Sequence, residues 1–298
     1  MAYLLLVLTV LFWAGNFILA RAMHFELPPV SMAFFRWLLA LLIILPWLVP
    51  RIISNWPVIR ENFGKLIFFG VVGVAGFNTQ IYLGVQETTA TNAVLMQSMI
   101  PILILLICAL FLGEKGSVKQ WVGVFLSFCG VTFLVARGDL SVLAGLEFNQ
   151  GDLWIVGAVL VWAVYSVALR WKPENLDIFT FFGVTVIVAV VTLAPLAWWE
   201  SGQVPAIEWN WRSVSTIAYM AVFPSVLSYL FWNKGVAELG APVAGLFIHL
   251  LPVFGLLLSL IFLNESLYAF HFWGVALIFA GIYLAVISDT LKRIRLKN

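Results

Sequence analysis

The chain has 298 residues, of which 63% are hydrophobic and only 10% are charged. Average soluble proteins carry roughly 25% charged residues, so this chain lacks the polar side chains that would cover a water-soluble protein of its size. A protein whose solvent is lipid has no such need. The net charge of +2 excludes little by itself, and the distribution of charge along the chain is more informative.

Apolar runs of about 20 residues recur along the whole chain, and this is the length with which a helix crosses the hydrocarbon core of a bilayer. The runs are continuous rather than alternating, which excludes a transmembrane β-barrel. No basic segment precedes the first run and no A-x-A site follows it, so we interpret it as a membrane span and not as a cleaved signal peptide. The sequence predicts an all-α integral membrane protein with ten spans at 4–22, 30–50, 64–84, 90–112, 118–135, 153–171, 178–198, 213–234, 242–262 and 268–287.

The basic residues predict the orientation of these spans. If the N-terminus lies on side one, twelve Lys and Arg residues fall on that side, whereas only Arg21, Arg137 and Arg212 fall on the other. Cytoplasmic loops carry the excess of basic residues, so both termini are expected to be cytoplasmic. The tail at 291–298 supplies four of these charges. We interpret it as a basic cytoplasmic topology anchor, with specific lipid recognition as the alternative.

The two halves of the chain repeat each other. LFWAGNFILAR at 11–21 aligns with LVWAVYSVALR at 160–170, and IPILILLICALFLGE at 100–114 aligns with LPVFGLLLSLIFLNE at 251–265. Each copy holds five spans, and because five is odd, the second copy enters the membrane from the opposite side. The predicted domains, 1–140 and 151–290, are therefore inverted repeats, as in many secondary transporters. Duplication without alternating access, as in some channels, is the other interpretation.

These motifs in this order resemble a known family. The relevant segments are W-A in span 1, F-F-R-W-L-L-A at 34–40, the endings F-L-G-E and F-L-N-E of spans 4 and 9, and the W-V-G-V-F-L-S-F-C-G and F-W-G-V-A-L-I-F-A-G segments that follow them. Over essentially its whole length the chain resembles the EamA-type branch of the drug/metabolite transporter superfamily, as two tandem EamA units. The resemblance implies a ten-helix fold around a central cavity lined mainly by spans 1, 3, 4, 6, 8 and 9. It also implies a bacterial inner membrane and export of metabolites, most like the exporters of aromatic and other neutral amino acids.

Polar and aromatic residues within the spans are the candidates for the solute path, because polar groups in hydrocarbon tend to face a bundle interior or a wet cavity. Several candidates correspond between the repeats: Trp13 and Asn16 in span 1 match Trp162 and Tyr165 in span 6. The alternative for each is a packing role or an interhelical hydrogen bond. The candidate cavity residues are Trp13, Asn16, Arg36, Asn78, Tyr82, Gln97, Ser98, Trp162, Tyr165, Ser225, Ser228, Tyr229, Asn233 and His249.

Two kinds of residue suggest how a solute is handled. Pro101 and Pro252 lie at matched positions in spans 4 and 9, where a proline kinks a helix, so we interpret them as hinges, with packing as the alternative. Trp13 and Trp162 lie mid-span, and aromatic walls suit an apolar or aromatic solute. The alternative is that they face lipid or pack between helices. Other tryptophans are predicted to form interfacial belts: Trp47, Trp56, Trp171, Trp198, Trp199, Trp209 and Trp211.

Charged residues near or within the spans have open interpretations. Arg36 is the only basic residue well inside a span, and no Asp or Glu lies at mid-depth to pair with it. It either extends toward the nearer membrane surface and caps loop carbonyls, or it attracts a substrate carboxylate. Glu114 and Glu265 end spans 4 and 9 and are expected to be structural, with gating as the alternative.

The sequence argues against several other functions. No G-x-x-x-x-G-K-[ST] loop is present, and Cys108 and Cys129 have no metal-ligand spacing, so neither ATP hydrolysis, nor a cofactor, nor a metal site is expected. A hydrolytic dyad of Ser98 and His249 lacks any supporting motif. His249 is the only deep group that titrates near neutrality, so we expect gradient-driven movement or weak proton linkage.

We therefore predict a secondary exporter rather than an enzyme, with neutral or aromatic amino acids as substrates and alternating access around an aromatic-lined cavity. The alternatives are a carrier of nucleotide-sugars, phosphorylated sugars or cationic drugs, and a channel. The expected partners are a small-molecule substrate and membrane lipids, with no nucleic acid. The oligomeric state stays open, a monomer included.

Overall fold

The computed structural model describes residues 1–139, 141–262 and 266–297, without the side chains of Ala90, Phe262 and residues 287–297. Glu265 and the basic side chains of the tail therefore lie outside the described residues. Within these ranges ten helices are long and apolar enough to cross a bilayer, which confirms the predicted all-helical fold with ten spans. Spans 1 to 10 are Ala2–Ala22, Pro29–Ser54, Phe63–Glu87, Thr91–Phe111, Val118–Val135, Gln150–Trp171, Ile178–Ser201, Trp211–Leu239, Ala241–Ile261 and Ala269–Val286.

Two short helices, Trp56–Glu61 and Ser141–Ala144, lie in the connections after spans 2 and 5, and the helix of span 10 continues to Lys297. The seven tryptophans predicted to lie at the membrane interfaces are each at least half exposed. Their exposure is compatible with the interfacial positions that the sequence predicts.

Ion pairs tie together one end of the bundle, where spans 2, 4, 6, 8 and 10 finish; we call it the basic end. Here Arg51 Nη1 lies 3.2 Å from Asp177 Oδ1, and Arg170 Nη2 lies 2.7 Å from Glu114 Oε1. Burial acts to raise the pKa of Asp177, but hydrogen bonds from Thr180 and the charge of Arg51 outweigh it and hold this pKa below its ordinary value. These contacts join the end of span 2 to the start of span 7 and the end of span 4 to the end of span 6, which all lie at the same end of an up-and-down bundle.

Polar contacts also connect the helices at the opposite end of the bundle. Arg212 Nη1 lies 3.0 Å from Glu26 Oε1. The buried carboxylate of Glu200, at the end of span 7, accepts hydrogen bonds from the backbone amides of Val30 at 3.0 Å and Ser31 at 2.6 Å. Glu200 thus caps the start of span 2, where amide groups lack partners within the helix and where the helix dipole favours an anion.

The packing of the spans has an approximate twofold symmetry. Span 1 packs against spans 8 and 9, and span 6 packs in the same way against spans 3 and 4. Spans 2 and 7, 4 and 9, and 5 and 10 pack against each other. Exchanging each span with the span five positions away leaves this pattern unchanged, as two inverted five-helix repeats require.

Individual close contacts repeat with the same symmetry. A Cβ atom on Gly84 of span 3 would lie 2.5 Å from Ile155 Cδ1 of span 6. The matching Gly235 of span 8 stands in the same relation to Leu6 of span 1, with 2.5 Å to its Cδ2. Both helix pairs therefore use a glycine to admit a branched side chain of the partner.

Spans 5 and 10 form the closest of these contacts through two glycines each. A Cβ on Gly123 would lie 2.5 Å from the carbonyl oxygen of Gly281, and a Cβ on Gly281 would lie 2.4 Å from the carbonyl oxygen of Gly123. Gly130 and Gly274 face each other in the same way, with 2.8 Å and 3.1 Å to the partner's carbonyl oxygen. Any larger residue would separate the two backbones.

The helices that face the twofold axis are irregular at matched positions. Span 3 contains a π-helical segment at Phe69–Gly76 and span 8 contains one at Ala221–Leu227. In span 4 the α-helix stops at Gln97 and resumes at Ile100. In span 9 a 3₁₀ segment, Phe247–Leu250, separates two α-helical segments. π-helical turns are rare and occur frequently at functional sites.

Pro101 and Pro252 lie just after these interruptions. Each is the second residue of the resumed α-helical segment, so the helix is interrupted before the proline rather than kinked at it. The geometry is favourable because a residue in the first helical turn needs no backbone N–H. Their action as hinges stays a prediction.

A single methyl group at the contact of spans 5 and 10 should destabilise the fold. Gly281→Ala forces apart two backbones that touch, at a cost of about 1–3 kcal/mol, and should lower the Tm in detergent micelles. Gly255→Ala is the matched control, because its Cβ would meet no described atom within 4 Å and alanine favours a helix by ~1 kcal/mol over glycine. Equal Tm values for the two variants would contradict the proposed close contact.

Candidate substrate site

Arg36 of span 2 lies fully buried at the centre of the bundle. Its Nη1 donates to Asn78 Oδ1 at 2.8 Å and to the Tyr82 hydroxyl at 2.6 Å. Its Nε donates to Ser225 Oγ at 2.5 Å, and its Nη2 donates to the carbonyl oxygen of Pro224 at 3.0 Å. Spans 3 and 8, from opposite halves, thus converge on one guanidinium group.

The charge of Arg36 has no acidic partner among the ion pairs of the described residues. A charged side chain within a bilayer is costly and marks a functional position by default. The expectation that Arg36 extends to the membrane surface is wrong, because neutral oxygen atoms of the bundle hold its donors in the interior. The ring of Trp37, 4.9 Å from the guanidinium carbon, adds a cation–π contact,.

Two hydrogen bonds near Arg36 are related by the repeat. The Tyr82 hydroxyl donates to Asn16 Oδ1 at 3.0 Å, and the Tyr165 hydroxyl donates to Asn233 Oδ1 at 2.9 Å. Asn16 matches Tyr165 in the aligned repeats, and Tyr82 matches Asn233. The same interhelical contact therefore occurs in both halves, with the amide and the phenol exchanged.

Backbone carbonyl groups of the two π-helical segments take part in this network. The carbonyl oxygen of Gly73 accepts from the Tyr229 hydroxyl at 2.9 Å, and that of Pro224 accepts from Trp13 Nε1 at 3.3 Å. Gly73 and Pro224 occupy matched positions in spans 3 and 8. Asn78 Nδ2 also donates to the Tyr229 hydroxyl at 2.8 Å. The irregular turns supply acceptors to side chains from the other half.

Aromatic rings fill the space beside this network. Trp13 lies 5.0 Å from Trp162 in an edge-to-face arrangement and 5.2 Å from Trp232, measured between ring centroids. Trp162, Trp232, Tyr165 and Tyr229 have no exposed surface. We call these five rings the aromatic cluster. They pack against one another, so the central cavity that the family resemblance implies is closed in this conformation.

His249 and Ser98 lie outside the aromatic cluster, where spans 4 and 9 are interrupted. His249 Nε2 lies 2.9 Å from the carbonyl oxygen of Ser98, and Nδ1 lies 2.6 Å from Ser127 Oγ in span 5. The Ser98 hydroxyl instead donates to the carbonyl oxygen of Leu95 at 2.5 Å. The Ser98–His249 dyad is therefore absent from the geometry, and His249 holds the interruptions of spans 4 and 9 together.

Two further candidates also lie away from Arg36. Ser228 donates to the carbonyl oxygen of Phe223 at 2.9 Å and contacts span 1 near Thr9. Gln97 is buried at the end of the first segment of span 4. Neither side chain contributes a hydrogen bond to the network around Arg36.

Two pockets reach into the bundle from opposite ends. The larger, about 670 Å³, lies at the opposite end between spans 4, 5, 9 and 10 and includes Thr91 and Ser259. The smaller, about 270 Å³, lies at the basic end between spans 4, 6, 8 and 9 and includes Cys108 and Pro242. Thr91 matches Pro242 and Ser259 matches Cys108 in the aligned repeats, so the two pockets share related walls. We call the smaller one the basic-end pocket.

The basic-end pocket connects charged groups with the central network. Glu114, Arg170 and Lys172 line its mouth, and Asn233 lines its interior. Burial lowers the pKa of Lys172, opposed by the carboxylates of Asp177 and Glu174. The predicted helix-end role of Glu114 agrees with its ion pair to Arg170, whereas gating stays a prediction.

Several residues with buried polar or aromatic contacts were not among the candidates predicted from the sequence. Trp232 completes the aromatic cluster, Trp37 contacts Arg36, and the carbonyl group of Pro224 serves two donors. Asp152 is buried at the start of span 6, where Asn92 donates to it at 3.2 Å. The proline inside span 8 was a signal for an irregular helix at this point, since it removes one backbone N–H from the helical hydrogen-bond ladder. The carbonyl group that loses this donor is that of Met220, four residues earlier, and the Ser225 hydroxyl donates to it at 2.7 Å.

Comparisons with known proteins agree on one family. A sequence profile described as the EamA-like transporter family matches residues 1–136 and 149–287. The chain is 28% identical to the "Uncharacterized transporter YyaM" of Bacillus subtilis (strain 168), over 95% of this chain and 92% of the relative. It is 30% identical to an "Uncharacterized transporter" of Archaeoglobus fulgidus, over 95% of this chain and 96% of the relative. A crystal structure with 20% identity superposes with a TM-score of 0.77 over 100% of this chain and 99% of that chain, which supports the fold.

Removing the charge of Arg36 should destabilise the protein. Arg36→Met keeps an unbranched side-chain stem but leaves Asn78 Oδ1 without its donor, and a buried unsatisfied group costs about 1–3 kcal/mol. The Tm in detergent should fall accordingly. Arg212→Met, which removes an exposed ion pair worth about 0–1 kcal/mol, is the control. A Tm of Arg36→Met equal to or above that of Arg212→Met would show that the network does not support the fold.

Proposed function

Because the chain belongs to the EamA-like transporter family, within the drug/metabolite transporter superfamily, we propose that it exports neutral and aromatic amino acids by alternating access. The observation that carries this proposal is the matched irregularity of the spans at the twofold axis. Spans 3 and 8 are π-helical, and spans 4 and 9 are interrupted, at corresponding positions. Two copies that can adopt each other's conformation open to opposite sides of the membrane in turn.

The two pockets support the same mechanism. Each opens at one end of the bundle, and their walls include matched residues from spans 4 and 9. In alternating access these spans rock against spans 3 and 8, so that one pocket deepens toward the aromatic cluster while the other closes. The interruptions before Pro101 and Pro252 are the hinges of this motion.

The chemistry of the centre favours amino acids as substrates. Arg36 supplies a positive charge without an acidic partner, which suits a carboxylate. The rings of Trp13 and Trp162 suit an apolar or aromatic side chain. The candidate residues that line the path are those joined to Arg36 or to the aromatic cluster, with His249, Ser98, Gln97 and Ser228 shaping the neighbouring helices.

The alternative substrates fit less well. A carrier of nucleotide-sugars or phosphorylated sugars needs several basic residues deep in the membrane, whereas Arg36 is the only basic residue of the sequence well inside a predicted span. A cationic drug would approach that same positive charge at a cost. A channel needs a continuous water path, whereas the aromatic cluster is closed.

The chain is a multi-pass membrane protein, and its place in the cell is part of the proposal. We assign it to the bacterial inner membrane with the basic end cytoplasmic, because that end carries the excess of Lys and Arg. The N- and C-termini are then cytoplasmic, and residues 1–140 and 151–290 act as the two inverted repeats.

Counterflow in proteoliposomes tests the substrate class. Vesicles preloaded with a neutral amino acid should take up the same labelled amino acid, while polyamines and cationic dyes should neither exchange nor compete. The aromatic cluster predicts faster exchange for L-phenylalanine than for L-alanine, because the larger side chain contacts more of the rings. Exchange of cationic dyes without exchange of any amino acid would contradict the proposal.

An imposed pH gradient tests the energy source. No acidic residue lies beside Arg36 among the described ion pairs, so we expect uptake to follow the solute gradient with little response to pH. The measurement compares initial rates with and without the gradient, in protein-free vesicles as the control. Strong accumulation against the solute gradient that an uncoupler abolishes would contradict facilitated movement.

A further inference from the structure

The basic-end pocket holds buried donors without acceptors. Asn233 lines the pocket, and its Oδ1 accepts from the Tyr165 hydroxyl, while its buried amide nitrogen has no partner among the described residues. The hydroxyl of Ser166, a fully buried side chain in the same pocket wall, likewise has no partner within the part of the chain that the structure describes. Buried polar groups without partners are rare and costly, so the interior of this pocket is suited to a ligand that brings acceptors.

An ion pair stands at the mouth of the pocket. Arg170 Nη2, at the end of span 6, lies 2.7 Å from Oε1 of Glu114, which follows span 4. The Arg170 side chain is 39% exposed and the Glu114 side chain is 49% exposed. Lys172 is held by the carbonyl oxygens of Pro173, at 3.0 Å, and Leu176, at 2.5 Å. Because these carbonyl oxygens occupy Lys172, the cation and the anion at the mouth that can exchange partners are Arg170 and Glu114.

The order of these groups defines a polarity. Ser166 and Arg170 both line this pocket from span 6. The unpartnered donors and the guanidinium group consequently lie on the side of spans 6 and 8. Glu114 faces them from span 4. A ligand that fits places its acceptors toward spans 6 and 8 and its positive group toward span 4.

We propose that the basic-end pocket captures an α-amino acid as its zwitterion, by exchange with the Glu114–Arg170 ion pair. The carboxylate of the solute binds Arg170 and the donors of Asn233 and Ser166, and its ammonium group binds Glu114. This inference rests on the proposed amino-acid transport and assigns the site at which the solute is taken up from the basic end. A simple anion would leave Glu114 unpaired beside it, and a simple cation would leave Arg170 unpaired.

The exchange also explains how the solute opens its own path. In the described structure the ion pair joins the residues that follow span 4 to the end of span 6, and both of its members line the pocket. A zwitterion satisfies both charged groups separately, so spans 4 and 6 can part without stranding either charge. Solutes that carry one of the two charges do not release the pair.

Competition against counterflow of labelled L-phenylalanine tests the required charges. Unlabelled L-phenylalanine should compete, while 3-phenylpropanoate, which lacks the ammonium group, and L-phenylalaninamide, which lacks the carboxylate, should be weaker by at least about tenfold, since the loss of one charged contact exceeds the 1.4 kcal/mol that a factor of ten represents. Equal competition by either analogue overturns the zwitterion inference while leaving amino-acid transport in place. If the wild type exchanges another solute and no amino acid, the proposed function and this inference fall together.

A reversed ion pair separates capture from simple closure. The double variant Glu114→Arg/Arg170→Glu remakes the pair but places the carboxylate beside the donors of Asn233 and Ser166. L-phenylalanine counterflow should fall at least about tenfold although the Tm is retained. The control Glu26→Arg/Arg212→Glu reverses an ion pair at the opposite end and should keep the rate. If the Glu114/Arg170 reversal keeps the wild-type counterflow rate, the ion pair has only a structural role and the proposal is overturned.

A near-isosteric variant tests the same site if the Glu114→Arg/Arg170→Glu variant does not fold. Asn233→Asp keeps the acceptor for Tyr165 and replaces the unpartnered donor by a carboxylate that repels the solute. The half-saturation concentration of L-phenylalanine at the basic end should rise at least about tenfold, with a smaller change in the maximal rate. An unchanged half-saturation concentration in folded protein would overturn the capture site.

Discussion

The absence of hydrogen-bonding solvent inside a bilayer is the constraint on which this structure depends. Every deep polar group must find a partner within the protein, and Arg36 is the most demanding of them. It is satisfied by oxygen atoms from spans 1, 3 and 8, so one side chain of the first half organises helices of both halves. The π-helical turn of span 8 belongs to the same network, because the carbonyl group of Pro224 within it accepts from this guanidinium group.

Symmetry is the second property of this network. The Asn16–Tyr82 contact of one half corresponds to the Tyr165–Asn233 contact of the other, and glycine contacts at the helix crossings correspond as well. Arg36 itself breaks the symmetry, since it comes from one repeat. In the proposed mechanism the symmetric scaffold permits both states, and the asymmetric charge selects what is carried.

The sequence predicted the features that depend on composition and local pattern. Ten apolar runs predict ten spans because the bilayer fixes helix length, and the aligned repeats predict two inverted units of five spans each. Sequence alone could not determine where the Arg36 side chain lies. A flexible side chain one or two turns from a membrane surface can extend outward or inward, and the packing of the neighbouring helices determines which. The closed aromatic cluster and the place of Trp232 were likewise unpredictable, because they depend on the register between helices from different halves. The π-helical turns arise from such tertiary contacts and leave little trace in local sequence.

The central claim is that the two inverted halves exchange conformations, and distances at both ends of the bundle test it most directly. Spin labels at Lys115 and Trp171 report on the basic end, and their repeat counterparts Ser266 and Ala22 report on the opposite end, in chains with Cys108 and Cys129 replaced by Ala. Electron–electron distance measurements in lipid nanodiscs should give two populations for each pair, which L-phenylalanine shifts in opposite directions. A single unshifted distance at both ends, or distances that lengthen together, would contradict alternating access.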